Sequence, residues 1–247
     1  AGAGGLRGRV WHGDLYLVGG GDPALATPDL DALAAQLRSL GVRRVTGAIV
    51  GDETRYDRRR AAPGWRPGFL GLESPPLSAL AVDRAAGWPR GEPAQVAARA
   101  FRDALARRGI GVSGPSRAGT APPEAIPLAR VVSAPLAEIV RFMNRESDNY
   151  TAELLLKELG AVLGDAGTTA AGAAVVVDTL AEARIPMLGL RVVDGSGLSR
   201  LDRVSATTLV SVLRAGATDP AIREAFLTSL AVAGVIPAIR TVRDALA

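Results

Sequence analysis

A short polar segment, Ser147-Asp148-Asn149, separates two stretches whose apolar residues recur at helical spacing. The first stretch places apolar side chains at i, i+3, i+4 and i+7, which predicts one buried helical face: Leu136, Ile139, Val140 and Met143. The second stretch predicts another helix through Leu154, Leu155 and Leu159. A hydroxyl, a carboxylate and an amide are therefore predicted to lie between two helices that pack into a core.

Two interpretations of this segment remain open. Ser, Asp and Asn are the residues that helix N-termini prefer, because their side-chain oxygens accept hydrogen bonds from unpaired backbone N–H groups. Capping alone therefore explains Ser147-Asp148-Asn149. An interpretation as part of an active site needs support from other parts of the chain.

The rest of the chain predicts a mixture of helices and strands. The length of 247 residues favours two domains or one elaborated domain, and 48% apolar content is typical of a globular protein. Strands are predicted at 15–18, 45–50 and 190–193. Helices are predicted at 27–40 (with Thr27 as N-cap and Leu40 in the apolar stripe), 94–108, 170–183, 207–215 and 220–230. Residues 58–93 show no clean periodicity, and the Pro/Gly/Ala-rich stretch 115–127 is a candidate domain boundary.

The formal net charge of +4 comes almost wholly from arginine, because Lys157 is the only lysine. The arginines look scattered along the chain and mostly alternate with acids. A nucleic-acid surface requires a basic stripe with stacking aromatic residues, and neither is visible. The charge pattern therefore predicts a solvated surface.

Several kinds of site are excluded by composition. The chain has no cysteine, so disulfides, thiolate metal sites and cysteine nucleophiles are excluded. His12 is the only histidine, which excludes a multi-histidine metal centre, and nothing around it suggests a Ser-His-Asp triad. Asp52 and Asp57 follow a strand end, where ligand contacts are common, although a plain turn is the default. We expect no metal and no cofactor.

Ser-Asp-Asn is also the second of three motifs in penicillin-recognising serine enzymes, where Ser-x-x-Lys and Lys-Thr-Gly complete the site. Four stretches in the order 13–23, 47–52, 143–157 and 193–205 resemble one branch of these enzymes. That branch is the D-alanyl-D-alanine carboxypeptidase/endopeptidase group, the class C penicillin-binding proteins of peptidase family S13. The resemblance covers most of the chain.

The chain departs from the family pattern in two places. With Lys157 as its only lysine, it contains neither Ser-x-x-Lys nor Lys-Thr-Gly. In the family, the first motif precedes the strand that resembles 15–18, and the third precedes the C-terminal helix, which is predicted here from Pro237. We therefore expect an absent N-terminal part and a segment lost near Gly234-Val235. No apolar run spans a bilayer, and the first residues lack a signal-peptide pattern, so a targeting segment would also be missing.

The resemblance implies an α/β, multi-domain fold. Its catalytic domain would be penicillin-binding-protein/β-lactamase-like, with an antiparallel sheet and a helical lobe, and accessory domains would be inserted into it. Applied to this chain, residues 1–21 form an entry segment, 22–130 the inserted accessory part, and 131–247 the transpeptidase-like catalytic domain.

The resemblance also implies a serine-type D-Ala-D-Ala carboxypeptidase or endopeptidase of peptidoglycan that acts through an acyl-enzyme and is inhibited by penicillins. Ser147 would join a proton relay, Asn149 would hold the substrate amide, and Asp52 and Asp57 are candidates for contact with the cationic end of the peptide. The protein would be bacterial, exported to the periplasmic or cell-wall side, and peripherally associated with membrane or wall. These 247 residues alone are expected to be inactive. Two alternatives stay open, a non-catalytic peptidoglycan-binding relative and a structural protein.

Overall fold

The computed structural model of the chain describes residues 1–86 and 88–232, which form two compact units. Unit 1 consists of Ala1–Arg60 and Pro75–Ser133. Unit 2 consists of Ala61–Ser74 and, in the rest of the described chain, residues 134–232. The segment predicted to be lost near Gly234 and the helix predicted from Pro237 lie outside the described residues.

Unit 1 is built on a six-stranded sheet with β2 at its centre. The strands are β1 Gly2–Arg7, β2 Val10–Val18, β3 Arg44–Val45, β4 Ile49–Asp52, β5 Gly111–Val112 and β6 Ser116–Ala118. β1 pairs antiparallel with β2, and the remaining pairings are parallel. β3 and β4 follow β2 in one continuous register, so they act as a single strand with a short interruption. β5 and β6 extend the sheet in the same way.

Two helices cover this sheet and close its core. They are α1 Thr27–Ser39 and α3 Pro93–Arg107, and both predictions are confirmed to within two residues. Their apolar stripes and the strands bury a shared cluster that includes Leu15, Leu30, Leu33, Leu37, Ile49, Phe101 and Leu105. Two details of the prediction were wrong. The N-cap of α1 is Ala26, because the Thr27 hydroxyl instead donates to Asp83, and Leu40 lies beyond the last turn and is 51% exposed.

The chain leaves unit 1 after Arg60 and returns at Pro75. The two ends of this excursion lie together, since Leu77 N donates to Arg60 O at 3.0 Å. The Arg60 guanidinium also forms a bidentate pair with the buried Glu53 carboxylate, with both N–O distances 2.7 Å. The excursion contains the short helix α2 Phe69–Leu72, so the irregular character predicted for 58–93 is confirmed.

The described part of unit 2 is helical. It contains α4 Leu136–Glu146, α5 Asn149–Val162, α6 Thr169–Glu182, α7 Ala206–Thr218 and α8 Arg223–Ser229. The backbones of α5 and α6 approach so closely that any side chain at Gly172 would collide with the Leu156 carbonyl. The predicted helices are confirmed, and with the sheet of unit 1 they give the predicted mixed α/β architecture. All named strands of the described residues lie in unit 1, so residues 134–232 contribute none to the antiparallel sheet that the resemblance implies.

Two predictions for unit 2 were wrong. The strand expected at 190–193 forms a single bridge, between Arg191 and Arg203. Leu190 N instead donates to Met187 O at 3.0 Å, and Val193 N donates to the Asp202 side chain at 2.6 Å. The stripe of α4 is not a buried face, since none of its residues is buried and Leu136 is 63% exposed. The neighbouring α8 is seven residues long, and among the described residues its hydrogen bonds to α4 all involve the C-terminal half of that helix, at Asn144 and Arg145.

Candidate functional site

Ser147 occupies the tight turn between α4 and α5. Its φ of 53° is in the left-handed region, where a residue with a side chain is uncommon and glycine is the usual choice. The Ser147 and Asp148 N–H groups both donate to Met143 O, which closes α4. Ser147 is exposed, and its hydroxyl makes no hydrogen bond within the described residues. A left-handed residue is a common helix ending, so the conformation alone does not assign a function, and the predicted role of Ser147 stays a prediction.

Asp148 is the capping residue of this segment. It is the N-cap of α5, and its Oδ1 accepts a hydrogen bond from Thr151 N at 2.8 Å. Capping, which the sequence predicted for this segment, is therefore confirmed at Asp148, while the catalytic roles of Ser147 and Asn149 stay predictions.

Asn149 is the first residue of α5, and its side chain is anchored outside the helix. Its Nδ2 donates to Glu73 O at 3.1 Å, at the end of the 61–74 segment of unit 2. This bond uses one of the two amide hydrogens, so the second hydrogen and Oδ1 can still bind a peptide group.

One turn after Asn149, Glu153 holds the loop that follows residue 193. Glu153 is fully buried, and its Oε1 accepts three hydrogen bonds. They come from Gly195 N at 3.0 Å, Ser196 N at 2.9 Å and Ser196 Oγ at 2.7 Å. The first turn of α5, which carries Asn149, is thus clamped to the Gly195-Ser196 turn.

Asp194 connects the same loop to the 61–74 segment. It is buried, and its Oδ2 accepts hydrogen bonds from Trp65 Nε1 at 3.0 Å and Ser199 N at 2.7 Å. Its Oδ1 accepts from Gly197 N at 2.8 Å. Three parts of unit 2 therefore form a closed ring of hydrogen bonds: α5, the loop after residue 193, and the 61–74 segment. Asn149 and Glu73 complete the ring.

Two carboxyls have raised pKa values, Glu153 in this ring and Asp202 in the loop after residue 193. Burial raises the pKa of Glu153 to about 7, and the nearby Asp194 charge adds to this, against the hydrogen bonds from Ser196 and Gly195. Burial and a hydrogen bond shared with the Asp194 carboxyl raise the pKa of Asp202 to about 6. Perturbed pKa values of this kind cluster at functional sites, although structural networks also produce them.

The interpretation of the sequence missed Glu153 and Trp65. A signal for Glu153 was present, because Tyr150, Glu153, Leu154 and Lys157 share one helical face and all four are buried. Two charged residues in a buried stripe indicate a polar network. No local signal predicts Trp65, since its partner Asp194 lies 129 residues away in the chain.

Replacing Trp65 with phenylalanine removes the Nε1 donor while keeping an aromatic ring. We expect the free energy of unfolding of unit 2 to fall by about 2 kcal/mol, because a buried carboxylate loses a charge-assisted hydrogen bond. Chemical denaturation measures this loss. An unchanged free energy of unfolding in Trp65→Phe would mean that the hydrogen bond to Asp194 contributes nothing to the stability of unit 2.

The other candidate residues lie in unit 1. Both oxygens of Asp52 are used locally, Oδ1 by Thr54 N at 2.8 Å and Oδ2 by Ala121 N at 2.7 Å. Asp57 is half-buried, and its Oδ1 accepts from Arg59 N at 3.3 Å. Their contact with a substrate stays a prediction. His12 is exposed on β2.

Within the described part of the chain, no three histidine or acidic side chains come together as a metal site. None of the helices formed by residues 1–86 and 88–232 combines the length and the apolar character that a membrane crossing requires.

Comparison of folds places the chain beside a solved penicillin-binding protein. Penicillin binding protein 4 (dacB) from Haemophilus influenzae superimposes with a TM-score of 0.86 at 21% identity, over 97% of this chain and 68% of that one. At this identity the likeness shows the fold alone.

Comparison of sequences also identifies the family of the chain. The chain is 30% identical over 308 residues to the D-alanyl-D-alanine carboxypeptidase of an Actinomadura species, covering 93% of this chain and 57% of that protein. It is 34% identical over 236 residues to carboxypeptidase DacB of Mycolicibacterium smegmatis, covering 85% and 50%. The chain thus spans only about half the length of these relatives. The sequence profile of one family matches residues 2–90 and 86–242, which is nearly the whole chain. The chain belongs to the D-Ala-D-Ala carboxypeptidase 3 (S13) family.

Proposed function

We propose that the protein carrying this chain is a serine-type D-Ala-D-Ala carboxypeptidase or endopeptidase of cell-wall peptidoglycan. The observation that carries this proposal is the turn at Ser147 in a chain of the S13 family. The backbone of Ser147 is left-handed and its hydroxyl is exposed, and the neighbouring Asn149 side chain is anchored to Glu73 O. The names of the relatives support the same activity. Inhibition by β-lactams is part of the proposal, since a solved structure of the Haemophilus protein contains a bound β-lactam.

In the proposed reaction, an activated serine attacks the carbonyl carbon between two D-alanines, and the bond to the departing D-alanine nitrogen breaks. Water then hydrolyses the resulting ester. Ser147 passes a proton towards the departing amine, because a hydroxyl accepts one proton while donating another. Asn149 holds the substrate amide through its second hydrogen and its oxygen. Asp148 takes no part, since its Oδ1 caps α5.

The attacking serine and its lysine are proposed to lie outside these 247 residues. Lys157 is the only lysine and is fully buried within α5, so it is not a base available to a substrate. We expect the full-length protein to release D-alanine from a D-Ala-D-Ala peptide, and these 247 residues alone to release none. A coupled assay for free D-alanine measures both. Turnover by the 247 residues would contradict the assignment of the nucleophile.

A non-catalytic peptidoglycan-binding protein is the second candidate, because the chain contains neither Ser-x-x-Lys nor Lys-Thr-Gly. The intact gene separates the two candidates, since the catalytic one requires both motifs. We also propose that the protein works on the outer side of the bacterial cytoplasmic membrane, in the periplasm or at the wall, where its substrate is located. Cell fractionation with an antibody to the protein tests this.

A further inference from the structure

Arginines that look scattered in the sequence gather at one end of unit 1. Three segments meet there: 5–10, which holds the β1–β2 turn, 38–46, which runs from the end of α1 through β3, and 106–113, which runs from the end of α3 through β5. Arg43 N donates to Arg9 O at 2.8 Å, and Gly111 N donates to Arg43 O at 3.0 Å. We call this region the basic end, after its seven arginines: Arg7, Arg9, Arg38, Arg43, Arg44, Arg107 and Arg108.

The basic end has almost no compensating charge. Its three segments contain no aspartate and no glutamate. Among the described residues, only Arg107 of the seven forms an ion pair, with Asp31 at 2.8 Å. The three segments therefore carry seven positive charges and no negative one, in a chain whose net charge is +4. Such a cluster creates a local field that attracts anions.

Capping of helix ends explains only part of this cluster. Arg43 Nη1 donates to Arg38 O at 2.7 Å, and Arg38 Nη1 donates to Gly109 O at 3.4 Å, as cations near helix C-termini often do. Arg7, Arg9 and Arg108 are exposed, and their side chains make no hydrogen bond to another described residue. Burial and the charges of Arg38 and Arg9 lower the pKa of Arg43, so the arginines repel one another. An anionic partner would relieve that repulsion.

Two exposed leucines accompany the arginines and indicate the kind of partner. Leu6 is 41% exposed beside Arg7, and Leu40 is 51% exposed in the 38–46 segment. Apolar side chains among cations are the pattern of proteins that lie on an anionic bilayer, where cations meet headgroups and apolar groups enter the interface. A single-stranded nucleic acid would require stacking aromatics, and the three segments contain none. A wall polyanion would gain nothing from the leucines.

We infer that the basic end is a docking surface for a bilayer containing anionic phospholipid, with Leu6 and Leu40 entering the interface. This surface lies wholly within unit 1 and does not depend on the proposed catalytic activity.

Flotation of the full-length protein with lipid vesicles tests this inference. We expect binding to vesicles of equimolar phosphatidylglycerol and phosphatidylcholine, and little binding to phosphatidylcholine alone. The variant R7Q/R9Q/R108Q should partition about 100-fold more weakly, since each arginine near an anionic surface contributes about fivefold. The matched control R59Q/R99Q/R130Q makes the same change in net charge at exposed arginines elsewhere in unit 1, and it should stay close to wild type.

The leucines separate a bilayer from other anions. L6S/L40S should weaken binding to the anionic vesicles, while L72S/L188S, at leucines that are 85% and 91% exposed in unit 2, should not. Equal binding by the two arginine triple variants would overturn the inference. Unchanged vesicle binding by L6S/L40S, or tighter binding to polyglutamate or an oligonucleotide than to vesicles, would assign the surface to a soluble polyanion instead.

Discussion

Ser147→Ala in the full-length protein is expected to lower the rate of D-alanine release by at least about 100-fold, the usual contribution of a group that transfers a proton in the transition state. Its stability should change little, because the Ser147 hydroxyl makes no hydrogen bond within the described residues. Asn149→Ala should cause a loss of similar size, with part of it in KM, because the amide holds the substrate. A steady-state assay of D-alanine release separates kcat from KM.

Two variants distinguish catalysis from capping. Asp148→Ala removes the N-cap of α5, and Ser205→Ala removes the N-cap of α7, where Ser205 Oγ accepts from Thr208 N at 3.1 Å. Each should lower the free energy of unfolding by about 1 kcal/mol, with activity largely kept. If Ser147→Ala retained the activity of Ser205→Ala, the turn would be a structural feature and the structural alternative would be favoured.

Glu153→Ala is expected to destabilise unit 2 by about 3 kcal/mol or more. The substitution leaves Gly195 N, Ser196 N and the Ser196 hydroxyl without their shared acceptor in a buried site. Glu153→Gln keeps an oxygen at the same place and should lose far less. Trp65 fluorescence in a W11F/W88F background reports this transition from within unit 2 during denaturation by urea.

Comparison of the wild-type protein with Glu153→Gln tests the raised pKa of Glu153. Because the folded pKa is about 7 and the unfolded pKa is near 4.5, the folded state binds the Glu153 proton more tightly. The stabilisation is present at pH 4.5 and is lost as the pH rises to 7 and beyond. Wild type should therefore lose more stability between pH 5 and pH 8 than Glu153→Gln does. Asp202 titrates in the same direction in both proteins, so their difference isolates Glu153. Parallel pH dependences would mean that Glu153 has an ordinary pKa when folded.

The predictions from sequence succeeded where structure is local. Apolar spacing located α1, α3 and the helices of unit 2, and polar residues at a helix start identified the cap at Asp148. They failed where long-range contacts decide the outcome. Residues 190–193 look like a strand, but most of their backbone has no neighbouring strand among the described residues.

The candidate site was likewise predicted only in its local part. Ser147-Asp148-Asn149 is contiguous and was found by motif, whereas the ring around it joins positions that are distant in the chain. Trp65, Glu153 and Asp194 meet only after folding. The arginines of the basic end are likewise distributed over three segments that lie about thirty to seventy residues apart in the chain, so only folding brings them together.

Covalent labelling of the full-length protein by a fluorescent penicillin distinguishes an acylating serine enzyme from the two alternatives. We expect one stoichiometric acyl group on a serine of a Ser-x-x-Lys sequence outside these 247 residues, located by mass spectrometry of the digested adduct. Labelling should be slower in Ser147→Ala and Asn149→Ala and unchanged in Ser205→Ala. A folded full-length protein that takes up no label, or takes it up equally in all of these variants, would contradict the assignment of Ser147 and Asn149 to a penicillin-recognising site.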